Sequence, residues 1–277
     1  MKIKLKPLLT KMLIYILLIG ISIMMLIPFA WMLTSSFKMN KDVFTYPVVW
    51  WPKEFITTNY VRIWEEIPLL RYFFNTSKLT VIITLLQLLT STFAAYAFAK
   101  MKFSGKDFLF LCYICTIAMP WQSYMIPQFI IIKKIGLVNT HLALIILQSF
   151  TAFGVFLVRQ FYMEIPNEIC EAARIDGMSE YGIYAKIMLP LSKPVIATLT
   201  IFSFTTIWND FMGPLIYINS QNLKTIQLGL RSFITEYSSE YSLIMAGSVV
   251  ALIPVLIVFA CLQKYFVEGI ASTGLKG

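Results

Sequence analysis

An all-α membrane protein of six transmembrane helices, with both termini in the cytoplasm, is what the sequence predicts. The chain is 58% hydrophobic and only 13% charged, and its mean hydropathy is +0.74. A soluble domain of 277 residues needs more polar surface than that. Apolar runs recur at residues 12–33, 79–99, 108–132, 142–158, 195–218 and 243–263. Each is close to the roughly 20 residues needed to cross the hydrocarbon of a bilayer. With the N-terminus inside, thirteen of the 23 lysines and arginines fall in cytoplasmic pieces and ten outside. Half of the outer ten lie in the long first loop, where the bias counts least. Residues 1–277 read as a single transmembrane domain.

The first run follows Lys2, Lys4, Lys6 and Lys11. It is longer than the roughly 7–15 apolar residues of a signal peptide, and Pro28-Phe29-Ala30-Trp31 makes a poor cleavage site, so a retained helix is expected. Residues 34–74 hold Pro47, Pro52 and Pro68 with Trp50, Trp51, Tyr60 and Trp64, the mark of an external loop with interfacial aromatics and one short helix near 60–66. The run at 142–158 is the shortest, and Arg159 can extend it by reaching back to the interface. Pro28, Pro120, Pro127, Pro214 and Pro254 fall inside the spans, where kinks mark a cavity, a bending point or plain irregularity.

The net charge of +9 is spread between apolar runs rather than gathered in a stripe, which fits anionic lipid and not nucleic acid. Cys112 and Cys115 form a C-x-x-C without a second pair, and His141 is the only histidine, so metal and redox work are not indicated. All four cysteines, with Cys170 and Cys261, are expected to be buried small residues. No G-x-x-x-x-G-K-[ST] loop, H-E-x-x-H or G-x-S-x-G is present, so no nucleotide site or catalytic centre is expected in this chain.

Two sets of polar residues stand out against the apolar background. In the fifth run, Trp208, Asn209 and Asp210 precede Gly213 and Pro214; Asp210 either serves a ligand or bonds a helix end near the outer interface. Gln87, Gln122 and Gln148 are mid-span amides that suit a neutral polyhydroxylated ligand, or equally hydrogen bonds between helices. The loop at 219–241, with Lys224, Arg231, Glu236 and Glu240, either meets an external partner or is a solvated connection.

The second set is a charged stretch at 168–194, EICEAARIDGMSEYGIYAKIMLPLSKP. Pro166 suits a helix start, Gly177 can take the left-handed conformation that stops one, and Ser179 can cap a second short helix ending before Leu189 and Pro190. Ala172 and Ala173, beside Ile169 and Ile175, would let another surface approach the backbone closely. A helix lying on the membrane surface is the plainer alternative.

Glu171, Ala172, Ala173 and Gly177, followed by Ile187, Leu189 and Pro190, resemble the cytoplasmic EAA loop of ABC importer permeases. Ile207-Trp208-Asn209-Asp210-Phe211 with Pro214-Leu215 is similar to the fifth-helix signature of the carbohydrate importers among them. The tail, residues 263–269 and 274–277, resembles the smaller maltose-type permease subunit, and the likeness covers nearly the whole chain. It implies a type I importer permease fold with a coupling loop at 164–194, in the cytoplasmic membrane of a prokaryote. ATPase docking would involve Glu171, Ala172, Ala173, Asp176, Gly177, Ile187, Leu189 and Pro190. Gln122, Gln148, Trp208, Asn209 and Asp210 would line the substrate's route. The implied partners are a second homologous permease, a dimer of ATPase subunits carrying ATP and Mg, an extracytoplasmic solute-binding protein and a sugar. The loop before the last helix would reach the binding protein, and residues 274–277 the ATPase interface. A proton- or sodium-coupled carrier, a membrane scaffold, and a peptide or phosphate-ester permease are the rival readings.

Overall fold

The computed structural model describes residues 5–234 and 239–274. Apart from one isolated β-bridge, Ile234 to Ser239, the described residues are helical or irregular. The helices are α1 (Leu5–Ser35), α2 (Asn59–Glu65), α3 (Leu69–Lys100), α4 (Lys106–Cys115), α5 (Met125–Lys134), α6 (His141–Gln148) and α7 (Ala152–Glu164). After them come α8 (Asn167–Ile175), α9 (Glu180–Ile183), α10 (Leu189–Leu191), α11 (Lys193–Trp208), α12 (Met212–Tyr217), α13 (Ile226–Leu230) and α14 (Tyr241–Gly274).

Among the described residues four helical stretches are long and apolar enough to cross a membrane, or five if a bent pair counts as one span. They are Thr10–Ser35, Leu69–Lys100, His141–Glu164 and Tyr241–Tyr265; the bent pair is Glu180–Leu191 with Lys193–Trp208, at 78°. The expected span at 108–132 is not one helix. Met119 lies extended (φ −85°, ψ 112°) before Pro120, where a proline's ring disfavours helix in its predecessor. What remains is α4 and α5, ten residues each, about 15 Å against a hydrocarbon core of about 30 Å.

Two more expected spans are interrupted. At 142–158 the chain breaks after Gln148, and Thr151 starts α7 by accepting from Gly154 N at 3.3 Å. The break frees carbonyls, and α3 supplies their donors: Gln87 Nε2 to Gln148 O at 2.7 Å and Thr90 Oγ1 to Ser149 O at 3.0 Å. At 195–218 the helix stops at Trp208 and resumes as α12. Of the five intraspan prolines, only Pro28 and Pro254 sit within continuous helices. Pro127 and Pro214 lie in the first turns of α5 and α12, where the missing N–H leaves nothing unpaired. The short helix expected near 60–66 is α2. Only Cys170 is buried; Cys112, Cys115 and Cys261 are exposed, because the helices carrying them turn those faces outward.

The chain divides into two compact units. In the first, residues 1–69 and 230–252, the loop after α1 is tied by Asn59 Nδ2, which donates to Ser36 O and Lys38 O at 2.9 Å each. Asn40 Nδ2 donates to Ser239 O at 2.9 Å, and the Phe44 ring meets Tyr241 edge-on at 4.8 Å.

The second unit, residues 70–229 and 253–277, is strung on α3. One core cluster joins Leu79 and Ile83 to Ala143, Leu144, Ile207, Tyr217 and Ile218. The other joins Ala95 and Tyr96 to Val158, Tyr162, Cys170, Ala173, Tyr184, Met188 and Leu199. At 1.5 Å per residue they lie about 20 Å apart along α3. Gly154 lets α7 close on Ser91 and Leu199, the use of a small residue where membrane helices pack.

Candidate functional site

The stretch at 168–194 folds as a clamped bracket. Pro166, extended, leads into α8. The helix ends with Gly177 at φ +79°, closed by Met178 N to Ala173 O at 2.9 Å and Gly177 N to Arg174 O at 3.0 Å. Ser179 Oγ then accepts from Gly182 N at 3.2 Å and starts α9. The second helix does not stop before Leu189 and Pro190. A π turn at Tyr184–Met188 carries it on to Leu191; the widened turn gives the ring of Pro190 room against the preceding carbonyls. It meets α11 at an elbow on Ser192, fully buried, whose Oγ donates to Leu189 O at 2.8 Å.

Polar bonds hold the bracket to α3. Arg174 Nε donates to Glu180 Oε1 at 2.6 Å and Nη2 to Oε2 at 3.2 Å; Tyr96 Oη donates to Glu180 Oε2 at 2.5 Å. Lys100 Nζ donates to Ile165 O at 2.5 Å and to Asn167 Oδ1 at 2.8 Å. The Arg174 bond, then that of Tyr96, holds the Glu180 carboxyl below the usual carboxylate range, and the same pair raises Arg174 above its ordinary value.

Eight residues of this stretch were expected on a docking face, and the structure sorts them. Glu171, Ala172, Asp176, Gly177 and Pro190 are exposed. Ala173 is buried in the Tyr96 cluster with Cys170, and Ile187 and Leu189 pack against that cluster half-buried. Of the two alanines only Ala172 is open to solvent; at Ala173 small size serves packing within the chain. The open face also carries Ile175, 86% exposed, and Tyr181, 72% exposed. The clamp of Arg174, Glu180, Tyr96 and Lys100 is not legible from spacing: a pair six apart across a turn follows no helical rule.

The second feature is a cavity of about 330 Å³ in the same unit, near the lower limit of small-molecule sites. Gln148 and Asp210 line it, with Gln87, Trp121, Tyr124, Gln128, Thr206 and Tyr217. Asp210 spans the break between α11 and α12. Its Oδ1 accepts from Gly213 N at 3.1 Å and its Oδ2 from Gln148 Nε2 at 2.7 Å. Asp210 thus bonds a helix end and borders the cavity at once. A Cβ at residue 213 would run into Asp210 Oδ2, which is why glycine stands there.

The other three expected route residues do not line the cavity. Trp208 is 1% exposed in the core, stacked on Phe204 with centroids 5.5 Å apart and edge-on to Phe73 at 5.5 Å. Asn209 is exposed and donates to Thr205 O at 2.9 Å. Gln122 is exposed because the turn at Trp121–Ser123 has about three residues per revolution, which brings Trp121 and Tyr124 together on the cavity side. Trp121, Tyr124, Gln128 and Tyr217 had no periodic signal; Pro120, which ends the helix ahead of the first three, is the mark that could have found those.

Replacing Asp210 with alanine is expected to leave Gly213 N–H and the Gln148 amide without an acceptor. The cost is roughly 1–3 kcal/mol for groups left unpaired in the interior. A drop in the thermal midpoint of the detergent-solubilised protein reads it, and an unchanged midpoint would mean that water replaces the carboxylate.

Residues 87–272 match the family model described as binding-protein-dependent transport system inner membrane component. The chain is 33% identical over 283 residues to the arabinooligosaccharides transport system permease protein AraQ of Halalkalibacterium halodurans, with 100% of both covered. It is 30% identical to the lactose transport system permease protein LacG of Rhizobium radiobacter, over 89% of each. Among solved structures, a bacterial ABC transporter involved in import of the acidic polysaccharide alginate matches with a TM-score of 0.81 and 23% identity, covering 96% of this chain and 99% of that one.

Proposed function

Since the chain belongs to the family of binding-protein-dependent transport system inner membrane components, a family of permease subunits whose ATP is hydrolysed on a separate subunit, we propose that it carries a sugar or oligosaccharide across the cytoplasmic membrane of a prokaryote by alternating access. Its partners in this reading are a second homologous permease, an ATPase dimer that binds ATP and Mg, and an extracytoplasmic binding protein that delivers the sugar. Six crossings with both ends cytoplasmic complete it, with α4 and α5 forming one broken crossing and α11 and α12 another.

The observation that carries the proposal is the bracket itself: an exposed face at Glu171, Ala172, Ile175 and Asp176 on a helix tied to α3 and α11. Closure of the ATPase dimer moves this face. The Glu180 and Lys100 bonds pass the motion to α3, and the Ser192 elbow passes it to α11. Gln87 on α3 borders the cavity, about 20 Å from Lys100, and Asp210 borders it just beyond α11. A rigid-body shift at the loop thereby opens and closes the cavity wall. Of the stretches expected at the binding-protein and ATPase contacts, the loop at 219–241 and the tail at 274–277, residues 235–238 and 275–277 lie outside the described residues.

Affinity capture of the complex from native membranes tests the docking. The ATPase and the second permease are expected to come down with the chain. Ala172→Trp or Glu171→Lys is expected to release the ATPase at unchanged expression. Ala173→Trp is a separate case: it overfills a buried site at about 1–3 kcal/mol and lowers the amount of folded protein. Full transport by a chain that purifies alone would instead favour a secondary carrier.

A further inference from the structure

The cavity wall has a fixed hydrogen-bonding polarity. Gln128 Oε1 accepts twice, from Trp121 Nε1 at 2.9 Å and from Tyr217 Oη at 3.1 Å. That double acceptance sets the amide's orientation and leaves its two N–H donors without a partner among the described residues. Gln87 and Gln148 are set in the opposite sense. One N–H of each is given to Gln148 O and Asp210 Oδ2, at 2.7 Å each, which sets the amide's orientation and leaves the carbonyl oxygen as an acceptor beside a second N–H. Tyr124, 40% exposed, offers a hydroxyl and a ring face beside Trp121. The lining contains no lysine, arginine or histidine, and its one charge is the Asp210 carboxylate.

We propose that this chain itself forms a sugar subsite in this cavity, with Gln128 donating and Gln87 and Gln148 accepting, and that the subsite takes neutral rather than acidic sugars. The inference rests on the reading that the cavity lies on a sugar's route. A sugar hydroxyl both donates and accepts, so a wall of fixed donors and fixed acceptors orients it, while Trp121 and Tyr124 meet the apolar face of the ring. A uronate would bring a second carboxylate beside Asp210 with no cation from this wall to pair it, and an unpaired buried charge is costly.

The test uses the complete importer in proteoliposomes, with its ATPase and binding protein, and compares neutral arabino- and galacto-oligosaccharides with oligogalacturonates. Gln128→Glu keeps the shape and the acceptor for Trp121 and Tyr217 but removes both donors; Tyr124→Phe removes one hydroxyl. The expected result is uptake of neutral sugars alone, reduced about tenfold by Gln128→Glu, with binding-protein-stimulated ATP hydrolysis within about twofold of the parent. Uptake of oligogalacturonate, or neutral uptake indifferent to both variants, overturns the subsite and leaves the importer reading intact. Failure to move any sugar by a complex that binds its ATPase and hydrolyses ATP sinks the importer reading as well.

Discussion

Gly177→Pro is expected to abolish uptake while leaving the protein in the membrane. Residue 177 sits at φ +79°, a conformation closed to proline, whose ring holds φ near −65°. The substitution also deletes the N–H that closes α8 on Arg174 O. The turn between α8 and α9 then cannot form, and the exposed face of Glu171, Ala172 and Ile175 loses its fixed angle to the clamp on α3. Membrane insertion depends on the apolar spans, none of which contains this residue. Gly177→Ala separates conformation from bulk. No atom lies within 4 Å of the added Cβ, so the cost is the left-handed backbone alone, about 1–2 kcal/mol, and partial uptake should survive. Uptake assays beside a membrane-fraction blot read both variants. Normal transport by Gly177→Pro would show that the loop is not a lever.

Arg174→Ala is expected to uncouple ATP hydrolysis from transport. The ATPase should still dock, because Arg174 is turned toward Glu180 and α3 and not toward the open face. Transmission should weaken, because Glu180 then holds only Tyr96. The pair is more than a third exposed on each side, so solvent screens it and its worth is about 1 kcal/mol. That corresponds to roughly a fivefold loss of sugar moved per ATP. The double variant Arg174→Glu with Glu180→Arg restores part of it if the pair acts through charge. The pH dependence has a definite sign. Glu180 is held below the ordinary carboxylate value, so the pair's contribution is complete above that value and is lost only as pH falls through the lowered one. Coupling should therefore be flat around neutrality and fail first on the acid side. Equal loss of docking and transport in Arg174→Ala would place the arginine in the docking surface instead.

Much of this protein was open to reading from its residues, and the boundary is physical. Apolar runs of about 20 residues announce crossings because a bilayer penalises any unpaired backbone group. Glu171-Ala172-Ala173 through Gly177 announces a helix with a left-handed stop because few other sequences close one so cheaply. These depend on local chemistry and on the solvent around the chain, both of which a single sequence carries. Which side of α8 faces inward, the division of labour between Ala172 and Ala173, and the burial of Trp208 behind the cavity depend on neighbours far along the chain. So does the cavity: Gln87, Gln122 and Gln148 read alike as mid-span amides, yet Gln122 turns away and Gln128 lines the wall in its place, because the helix breaks at Pro120 and Gln148 reset which side chains face it. The sequence determined the continuous apolar helices Thr10–Ser35, Leu69–Lys100 and Tyr241–Tyr265 and the left-handed stop at Gly177, since each follows from local hydrophobicity and backbone preference. The clamp and the cavity wall were decided by the tertiary structure, because a hydrogen bond between distant residues exists only where packing brings its donor and acceptor within about 3 Å.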